Sequence, residues 1–249
     1  AAALPGRIAS AVQQAEADLQ PARAWTATVK EAAISFNRRF LMRDGSVQMN
    51  PRRGNPDIVR PTGPIDPDVN VVYFDSPDGK PLATHVNFAL HVAIVGGSQV
   101  SADYPGVLAK ALAQVKGSAM LTLFTNGMSG NINHLDVSYG GQPSGLAEAA
   151  RVGTILAADV LKAYRSLRPL EVSRLIARTR PVSLPVASFN VDEVSAARNT
   201  LARYGRPGAP PFNDVVRAWK IVDIANLQGK PLDTEVQAIV LGDQLAWVG

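Results

Sequence analysis

Apolar and polar positions recur along this chain with two periods, which together predict its elements. Apolar residues return every three to four positions in five segments, the spacing of one face of an α-helix. Short apolar or alternating runs bounded by Gly, Pro, Asn and Asp predict strands. The predicted helices are 8–19, 104–115, 144–164, 191–204 and 212–227. The predicted strands are 26–34, 69–74, 82–90, 87–95, 120–124, 171–186 and two more within 234–249.

The apolar runs 87–95 and 120–124 enclose the helical pattern of 104–115. A strand, a crossover helix and a second strand form a right-handed βαβ unit when the strands are parallel. We therefore expect an α/β fold, with a mixed, largely parallel central sheet and flanking helices. Parallel sheets bind ligands at loops that leave the carboxyl ends of their strands. This predicts a site near 126–136, with His91 in or at the end of the neighbouring strand.

The remaining pattern predicts simpler connections. A turn at 76–80 joins the strands 69–74 and 82–90 into a hairpin, and Asp44–Gly45 predicts a turn between two short extended pieces. Residues 51–68 are rich in Pro and Gly and predict an irregular loop. The strand 171–186 carries two prolines, which favours a sheet edge. Because the chain ends inside an apolar run, we expect further residues after Gly249; the resemblance described below implies one α/β catalytic-core segment, 1–249, that is incomplete at both termini.

Composition narrows the class of protein. Hydrophobic residues make up 46% of the 249 positions and charged residues 18%, which is typical of a globular protein. The net charge of +4 comes from scattered Lys and Arg, so nucleic-acid binding is not expected. There is no cysteine, which excludes disulfides and thiolate metal sites. No apolar run approaches the roughly 20 residues of a membrane span. The start without Met indicates a processed or trimmed chain.

Candidate chemistry is concentrated in three histidines and one polar loop. His85 and His91 are six residues apart, so on one strand both would face the same side. A histidine in an apolar strand is more often a hydrogen-bonded core residue than a ligand. The loop after 120–124 carries many small polar side chains, although such loops are often only turns. Its polar residues are Asn126, Ser129, Asn131, Asn133, His134 and Asp136. Spacing alone leaves both interpretations open.

Five blocks of sequence, in order, resemble the catalytic domain of neutral (non-lysosomal) ceramidases. They are NRR with MNP at 37–51, GPIDPDVNVVYF at 63–74, NFALHV with SADYPG at 87–106, LFTNGMSGNIN at 123–133 and TEVQAIVLGD at 234–243. The family is a zinc-dependent amidase that hydrolyses the N-acyl bond of ceramide, and it binds zinc through two His, a Glu and a Tyr. The resemblance implies Zn²⁺ as cofactor, with His91 as one metal ligand. The other ligands are expected outside this segment.

The resemblance also implies roles for the polar loop, with one departure. The family has a serine, followed by proline, where this chain has Asn133 and His134. Asparagine cannot act as a nucleophile, but it can donate a hydrogen bond to an oxyanion. The catalytic residues implied are Asn133, Gly130, Asn131 and Arg38.

The implied substrate-binding residues are Arg38, Ser129 and His134. The guanidinium of Arg38 would hold a substrate oxygen; the alternative is an ordinary surface arginine. Asp103 would orient the loop or a histidine, or else cap the helix 104–115.

The sequence thus predicts a zinc amidohydrolase that cleaves an N-acyl amide of the N-acylsphingosine kind by metal-activated water. One alternative is a hydrolase of a different amide or ester on the same fold, which the Asn133 substitution favours. Another is a non-catalytic member of the family. The expected partner is a small-molecule or lipid amide, with peripheral membrane contact, no transmembrane segment and no nucleic acid. The resemblance implies a secreted or periplasmic protein.

Overall fold

A computed structural model of the chain describes residues 3–98, 100–138 and 144–249. These residues form two compact units, 1–171 and 172–249. The elements of the first unit are α1 (Leu4–Ala17), β1 (Arg23–Lys30), β2 (Phe36–Asn37), β3 (Arg39–Met42), β4 (Val47–Met49), β5 (Ile58–Pro61), β6 (Asp68–Asp75), β7 (Pro81–Phe88), α2 (Asp103–Lys116), β8 (Leu121–Asn126), β9 (Ile132–Asn133), α3 (Leu146–Ala163) and β10 (Arg168–Pro169).

The main sheet of the first unit is mixed but mostly antiparallel. Its strand order is β10-β1-β6-β7-β8. The pairs β1/β10, β1/β6 and β6/β7 are antiparallel, and β7/β8 is parallel. The prediction of a largely parallel sheet is therefore wrong. For β6/β7 the reason is local, because a tight turn at 76–80 permits only antiparallel pairing; the pairs β1/β6 and β1/β10 join strands that are distant in sequence.

The predicted strand–helix–strand arrangement is present, with β7, α2 and β8 in that order and the strands parallel. The first strand is shorter than predicted. β7 ends at Phe88, where the Leu90 N–H donates to the Phe88 carbonyl at 3.1 Å and turns the chain out of the sheet. His91 therefore lies in the loop after β7. The prediction that His85 and His91 share one strand face is wrong for the same reason.

Helices α2 and α3 cover one face of this sheet. Val71, Val86 and Phe88 of the strands are fully buried with Leu108 of α2 and Leu156 of α3. Burying such side chains stabilises a fold by roughly 1.5–3 kcal/mol each. The helices approach closely at Gly153, where an added Cβ would lie 2.6 Å from the Tyr104 carbonyl oxygen and 2.6 Å from Val107 Cβ. Glycine at this position is what allows the two helices to pack.

Two small sheets complete the first unit. β3 pairs with β4 around the predicted Asp44–Gly45 turn, and also with β5. β5 lies within 51–68, so that segment is not wholly irregular as predicted. The other sheet joins β2 to β9 antiparallel, with Phe36 opposite Asn133 and Asn37 opposite Ile132. This second pairing fixes the segment after β8 against the segment after β1.

The second unit is a three-stranded antiparallel sheet with two helices. Its elements are β11 (Leu175–Leu184), α4 (Val191–Ala202), α5 (Phe212–Asn226), β12 (Leu232–Leu241) and β13 (Leu245–Val248). The strand order β11-β12-β13 leaves the proline-bearing β11 at an edge, as its sequence predicts. Asn190 and Glu193 form a capping box that starts α4. The prediction that both units belong to one catalytic-core segment stays a prediction.

Candidate active site

Two loops leave the carboxyl ends of the parallel strands β7 and β8, and they carry most of the predicted site residues. We call residues 89–95 the His91 loop and residues 127–134 the Asn loop. They are adjacent at their starts, because the Gly127 N–H donates to the Phe88 carbonyl at 2.9 Å. An added Cβ at Gly127 would lie 3.1 Å from the backbone of Ala89, so the two chains pass here in close contact.

His91 is half-buried in its loop. Its Nδ1 atom is buried and has no hydrogen-bond partner within the described residues. A buried ring nitrogen without a partner is costly, so such an atom is a candidate for binding a ligand or a metal. Both sides of the loop are held firmly, which places this imidazole in a defined position.

The support of the His91 loop comes from the start of α2. The Tyr104 hydroxyl donates to the Leu90 carbonyl at 2.7 Å, on one side of His91. On the other side, the Asp103 carboxylate accepts hydrogen bonds from the backbone N–H groups of Ile94 and Val95 at 2.9 and 2.8 Å. Asp103 thus holds the His91 loop rather than the polar loop of the prediction, and it is the first residue of α2 rather than its cap, which is Ala102. It adopts φ of 51°, an unusual conformation outside glycine that Asp tolerates better than most residues.

The Asn loop is tied to Arg38. The guanidinium donates to the Gly130 carbonyl through Nε and Nη2, at 3.2 and 2.8 Å. The Arg38 backbone N–H also donates to the Asn131 carbonyl at 2.8 Å. Arg38 is therefore a structural contact of the loop as well as a neighbour of the predicted site. Its Nη1 group makes no hydrogen bond to any residue that the structure describes.

Asn133 is buried, and both the oxygen and the nitrogen of its side-chain amide are hydrogen-bonded. Its Oδ1 accepts from the Leu135 N–H at 3.0 Å, and its Nδ2 donates to Asn50 Oδ1 at 2.7 Å. Ser129 is also buried, and its carbonyl accepts from the Ile132 N–H. Asn131 and Gly130 are exposed. The contacts thus bring Arg38, Gly130, Asn131 and Asn133 into one network.

His134 ends the Asn loop in a buried, charged environment. Burial lowers the pKa of its imidazole below the ordinary value, while the carboxylates of Glu148 and Asp103 act in the opposite direction. Glu148 is fully buried in the first turn of α3, and Arg151 binds it through two hydrogen bonds of 2.9 and 2.6 Å. Charged side chains of α2 and α3 therefore act on His134 at the end of the Asn loop.

Sequence reasoning missed two contributors to this site. Asn50 joins Arg38 to Asn133, and Asn37 holds the loop before β6 through bonds from its Nδ2 to the Gly63 and Pro64 carbonyls. Both asparagines lie inside the blocks NRR and MNP that carry the resemblance. The available sequence signal was an asparagine next to arginine or proline. This signal does not reveal which groups the asparagine binds.

A zinc site requires three protein ligands in most catalytic centres. His91 fits as one of them, because its buried Nδ1 has no partner within the described ranges. The same ranges contain no group of three His, Cys, Asp or Glu residues that could hold a metal. The described residues therefore offer one ligand and do not complete a zinc centre by themselves.

Comparison with known proteins was made by sequence and by structure. Protein-family models give no match to this chain, and curated proteins give none. Among solved structures, neutral ceramidase from Pseudomonas aeruginosa superposes with a TM-score of 0.63 at 19% identity, over 96% of this chain and 41% of that one. A structure described as ceramidase complexed with C2 gives a TM-score of 0.62 at 16% identity, over 95% of this chain and 42% of that one.

The chain thus spans about two fifths of the length of the ceramidase structures it matches. Among the residues described, no helix combines the length and apolar character needed to cross a membrane. The resemblance predicted from five sequence blocks is confirmed at the level of the fold, and nearly the whole chain has a ceramidase-like fold.

Proposed function

We propose that this chain is the core of a ceramidase-like hydrolase that cleaves an N-acyl amide, with an N-acylsphingosine-like lipid as substrate. The observation that carries the proposal is the likeness to neutral ceramidase over 96% of the chain. The sequence blocks of that likeness include the two loops at the carboxyl ends of β7 and β8. Ligands of α/β sheets with parallel strands bind at such loops.

The proposed substrate site lies along the Asn loop. The free Nη1 of Arg38 would hold a substrate oxygen, while its other two nitrogens keep the Gly130 carbonyl in place. The exposed amide of Asn131 would donate to the oxyanion that develops as water adds to the acyl carbon, while Asn133 would hold the loop through its own hydrogen bonds. Ser129 and His134 would line the buried side of this site.

The proposal includes Zn²⁺, with His91 as one ligand and further ligands outside the described residues. Bound zinc would lower the pKa of a water molecule to about 7 and make it a nucleophile at neutral pH. Tyr104 and Asp103 would keep the imidazole in position by holding the loop on either side of it. This chain's contribution is to position the ligand, orient the acyl group and supply hydrogen-bond donors.

Export to the periplasm or outside the cell, and contact with a membrane surface that presents the lipid, belong to the same proposal. Both rest on the likeness to ceramidases.

Asn133 favours a second candidate, a hydrolase of a different amide or ester on the same fold. Its side chain is buried and hydrogen-bonded at both ends, so it does not replace the family's serine chemically. A non-catalytic relative is the third candidate, which incomplete metal ligation in the full-length protein would favour.

A metal and substrate assay on the full-length protein separates these candidates. We expect the wild type to contain zinc and to release fatty acid from N-octanoylsphingosine, and we expect His91→Ala to lose both. His85→Ala is the matched control, because His85 lies in β7 and bonds Thr125 at 2.9 Å. Unchanged zinc content in His91→Ala would end the metal role. Release from octanoyl esters alone would favour the second candidate, and no release from either would favour the third.

A further inference from the structure

Asn50 is an exposed asparagine at the end of β4 whose conformation is unusual. Its φ is 49°, in the left-handed region, and it directly precedes Pro51. A residue before proline normally adopts an extended conformation. Such strain persists only where surrounding contacts hold it, and strained residues concentrate at functional sites.

Two contacts hold Asn50 in place. Its backbone N–H donates to the Arg38 carbonyl at 2.7 Å, and its Oδ1 accepts from Asn133 Nδ2 at 2.7 Å. The orientation of both amides follows from hydrogen-bond chemistry. Asn133 must turn its Oδ1 toward the Leu135 N–H, so its Nδ2 faces Asn50. Asn50 must therefore accept this hydrogen bond with its own Oδ1. The Nδ2 group of Asn50 is thereby directed away from Asn133.

The Nδ2 hydrogens of Asn50 have no acceptor among the residues that the structure describes. Asn133, in contrast, is buried and uses its side chain on Leu135 and Asn50. A donor that is fixed before the substrate arrives is what stabilises a developing oxyanion most effectively, because it needs no reorganisation. Asn50 meets this description better than Asn133.

We propose that Asn50 donates the amide N–H to the substrate carbonyl oxygen, and that Asn133 is a positioning residue that fixes the Asn50 amide. The inference rests on the proposed function, since it assumes that the site binds an N-acyl amide. In the tetrahedral step, water adds to the acyl carbon and the carbonyl π electrons move onto its oxygen. Asn50 Nδ2–H bonds that oxygen. When the carbonyl re-forms, the C–N bond breaks, the amine departs with the proton given up by the added water, and the carboxylic acid remains.

The first test uses Asn50→Asp, which keeps an acceptor for Asn133 but replaces the donor with a carboxylate oxygen. We expect kcat for N-octanoylsphingosine to fall by about 100-fold, the effect of losing one oxyanion donor, with KM little changed. Gln48→Glu is the matched control, because it adds the same charge at an exposed position in β4. The control should retain wild-type kcat, and thermal melting should show both variants folded.

A second variant distinguishes positioning from direct contact. Asn133→Asp still accepts from Leu135 but cannot donate to Asn50, so the Asn50 amide should rotate and present its oxygen to the substrate. We expect the same loss of kcat as in Asn50→Ala, and no further loss in the Asn50→Ala/Asn133→Asp double variant. Losses that multiply would assign Asn133 a direct contact and overturn the inference.

Binding gives a readout without turnover. In protein labelled with ¹⁵N in asparagine side chains, octanamide should shift the Asn50 resonance, which Asn50→Asp identifies by its disappearance. A shift confined to Asn133 would overturn the inference. If the wild type releases no octanoate, the proposed function fails and the inference with it. If the wild type is active and Asn50→Asp matches Gln48→Glu, only the inference fails.

Discussion

The His91 loop and the Asn loop leave neighbouring parallel strands, yet different kinds of contact hold them. The His91 loop is fixed by two buried side chains of α2, which bind its backbone at Leu90, Ile94 and Val95. The Asn loop is fixed by strand pairing with 36–37 and by a half-exposed arginine on the Gly130 carbonyl. One loop thus depends on the core helices, and the other on a small peripheral sheet.

The difference matters for the proposed chemistry. A metal ligand needs a fixed direction, and buried hydrogen bonds to a carboxylate provide it because the low dielectric strengthens them. A substrate-binding loop has to admit a ligand, and contacts near solvent are weaker and easier to rearrange. We therefore expect substitutions in the support of the His91 loop to cost much more stability than those in the support of the Asn loop.

Asp103→Ala should have the largest effect. It removes a buried acceptor from the N–H groups of Ile94 and Val95 and leaves them unsatisfied, so we expect a loss of about 3 kcal/mol in the free energy of unfolding. Denaturant melts would measure it, and hydrogen exchange should accelerate at those two amides. Asp44→Ala is the matched control, because the exposed Asp44 accepts from the Ser46 N–H in a turn. Equal effects in both variants would contradict the comparison.

Gly153→Ala should rank second. The added methyl would lie 2.6 Å from the Tyr104 carbonyl and from Val107 Cβ, so α2 must move away from α3. Overpacking of this kind costs about 1–3 kcal/mol. The same movement should loosen the Asp103 contacts, which exchange at Ile94 would report. Gly6→Ala in α1, where no atom lies within 4 Å of the added methyl, should not destabilise the protein. Because alanine favours a helix more than glycine does, a loss of stability in Gly153→Ala reports packing, and unchanged or increased stability there would contradict the prediction.

Arg38→Lys should have a small effect on stability, because the guanidinium contact with Gly130 is near solvent. Lysine cannot reproduce the two-nitrogen contact, so we expect a loss of a few tenths of a kcal/mol. Exchange of the Arg38 amide, which is bonded to the Asn131 carbonyl, should nevertheless accelerate. Arg39→Lys, on a neighbouring exposed arginine, is the control and should leave that exchange unchanged. A global loss as large as that of Asp103→Ala would show that the two supports are equivalent.

The two loops also show what the sequence could and could not reveal. Their positions after β7 and β8 were predictable, because apolar runs and helical spacing identify the strands and α2. The end of β7 was not, since the apolar run continues through Leu90 and Ile94, which are buried in the loop rather than in the strand. Burial alone therefore does not separate a strand from a well-packed loop.

Long-range pairing was equally hidden. The local sequence of 36–37 and 132–133 does not show that these residues pair in a sheet. Nor does it show that Asn50 binds Asn133, which is 83 residues away in sequence. The parallel character of the sheet was overestimated because one strand–helix–strand unit was extended to strands that pair antiparallel, β6/β7 in a hairpin and β1/β6 and β1/β10 over long stretches of sequence. These contacts depend on tertiary geometry, which local periodicity does not encode.

The pH dependence of stability gives the finest test, through His134. Burial lowers the pKa of His134, so as pH falls below its ordinary value of 6.5 the unfolded chain binds the proton first. The folded state is therefore most stable above pH 6.5. It loses stability as pH decreases, until His134 is protonated in the folded chain as well. His134→Gln should flatten this part of the stability profile and leave the region near pH 8 unchanged, as measured by denaturant melts at a series of pH values.

His85 provides the comparison, because burial lowers its pKa with no opposing carboxylate among its causes. For His134, the carboxylates of Glu148 and Asp103 raise the pKa, whereas Arg53 and Arg151 lower it together with burial. We therefore expect His85→Gln, like His134→Gln, to flatten the stability profile below pH 6.5. Asp103→Asn should lower the His134 pKa further, because it removes one of the two opposing charges. An unchanged His134 titration in Asp103→Asn, followed by NMR, would show that the support of the His91 loop does not act on the end of the Asn loop.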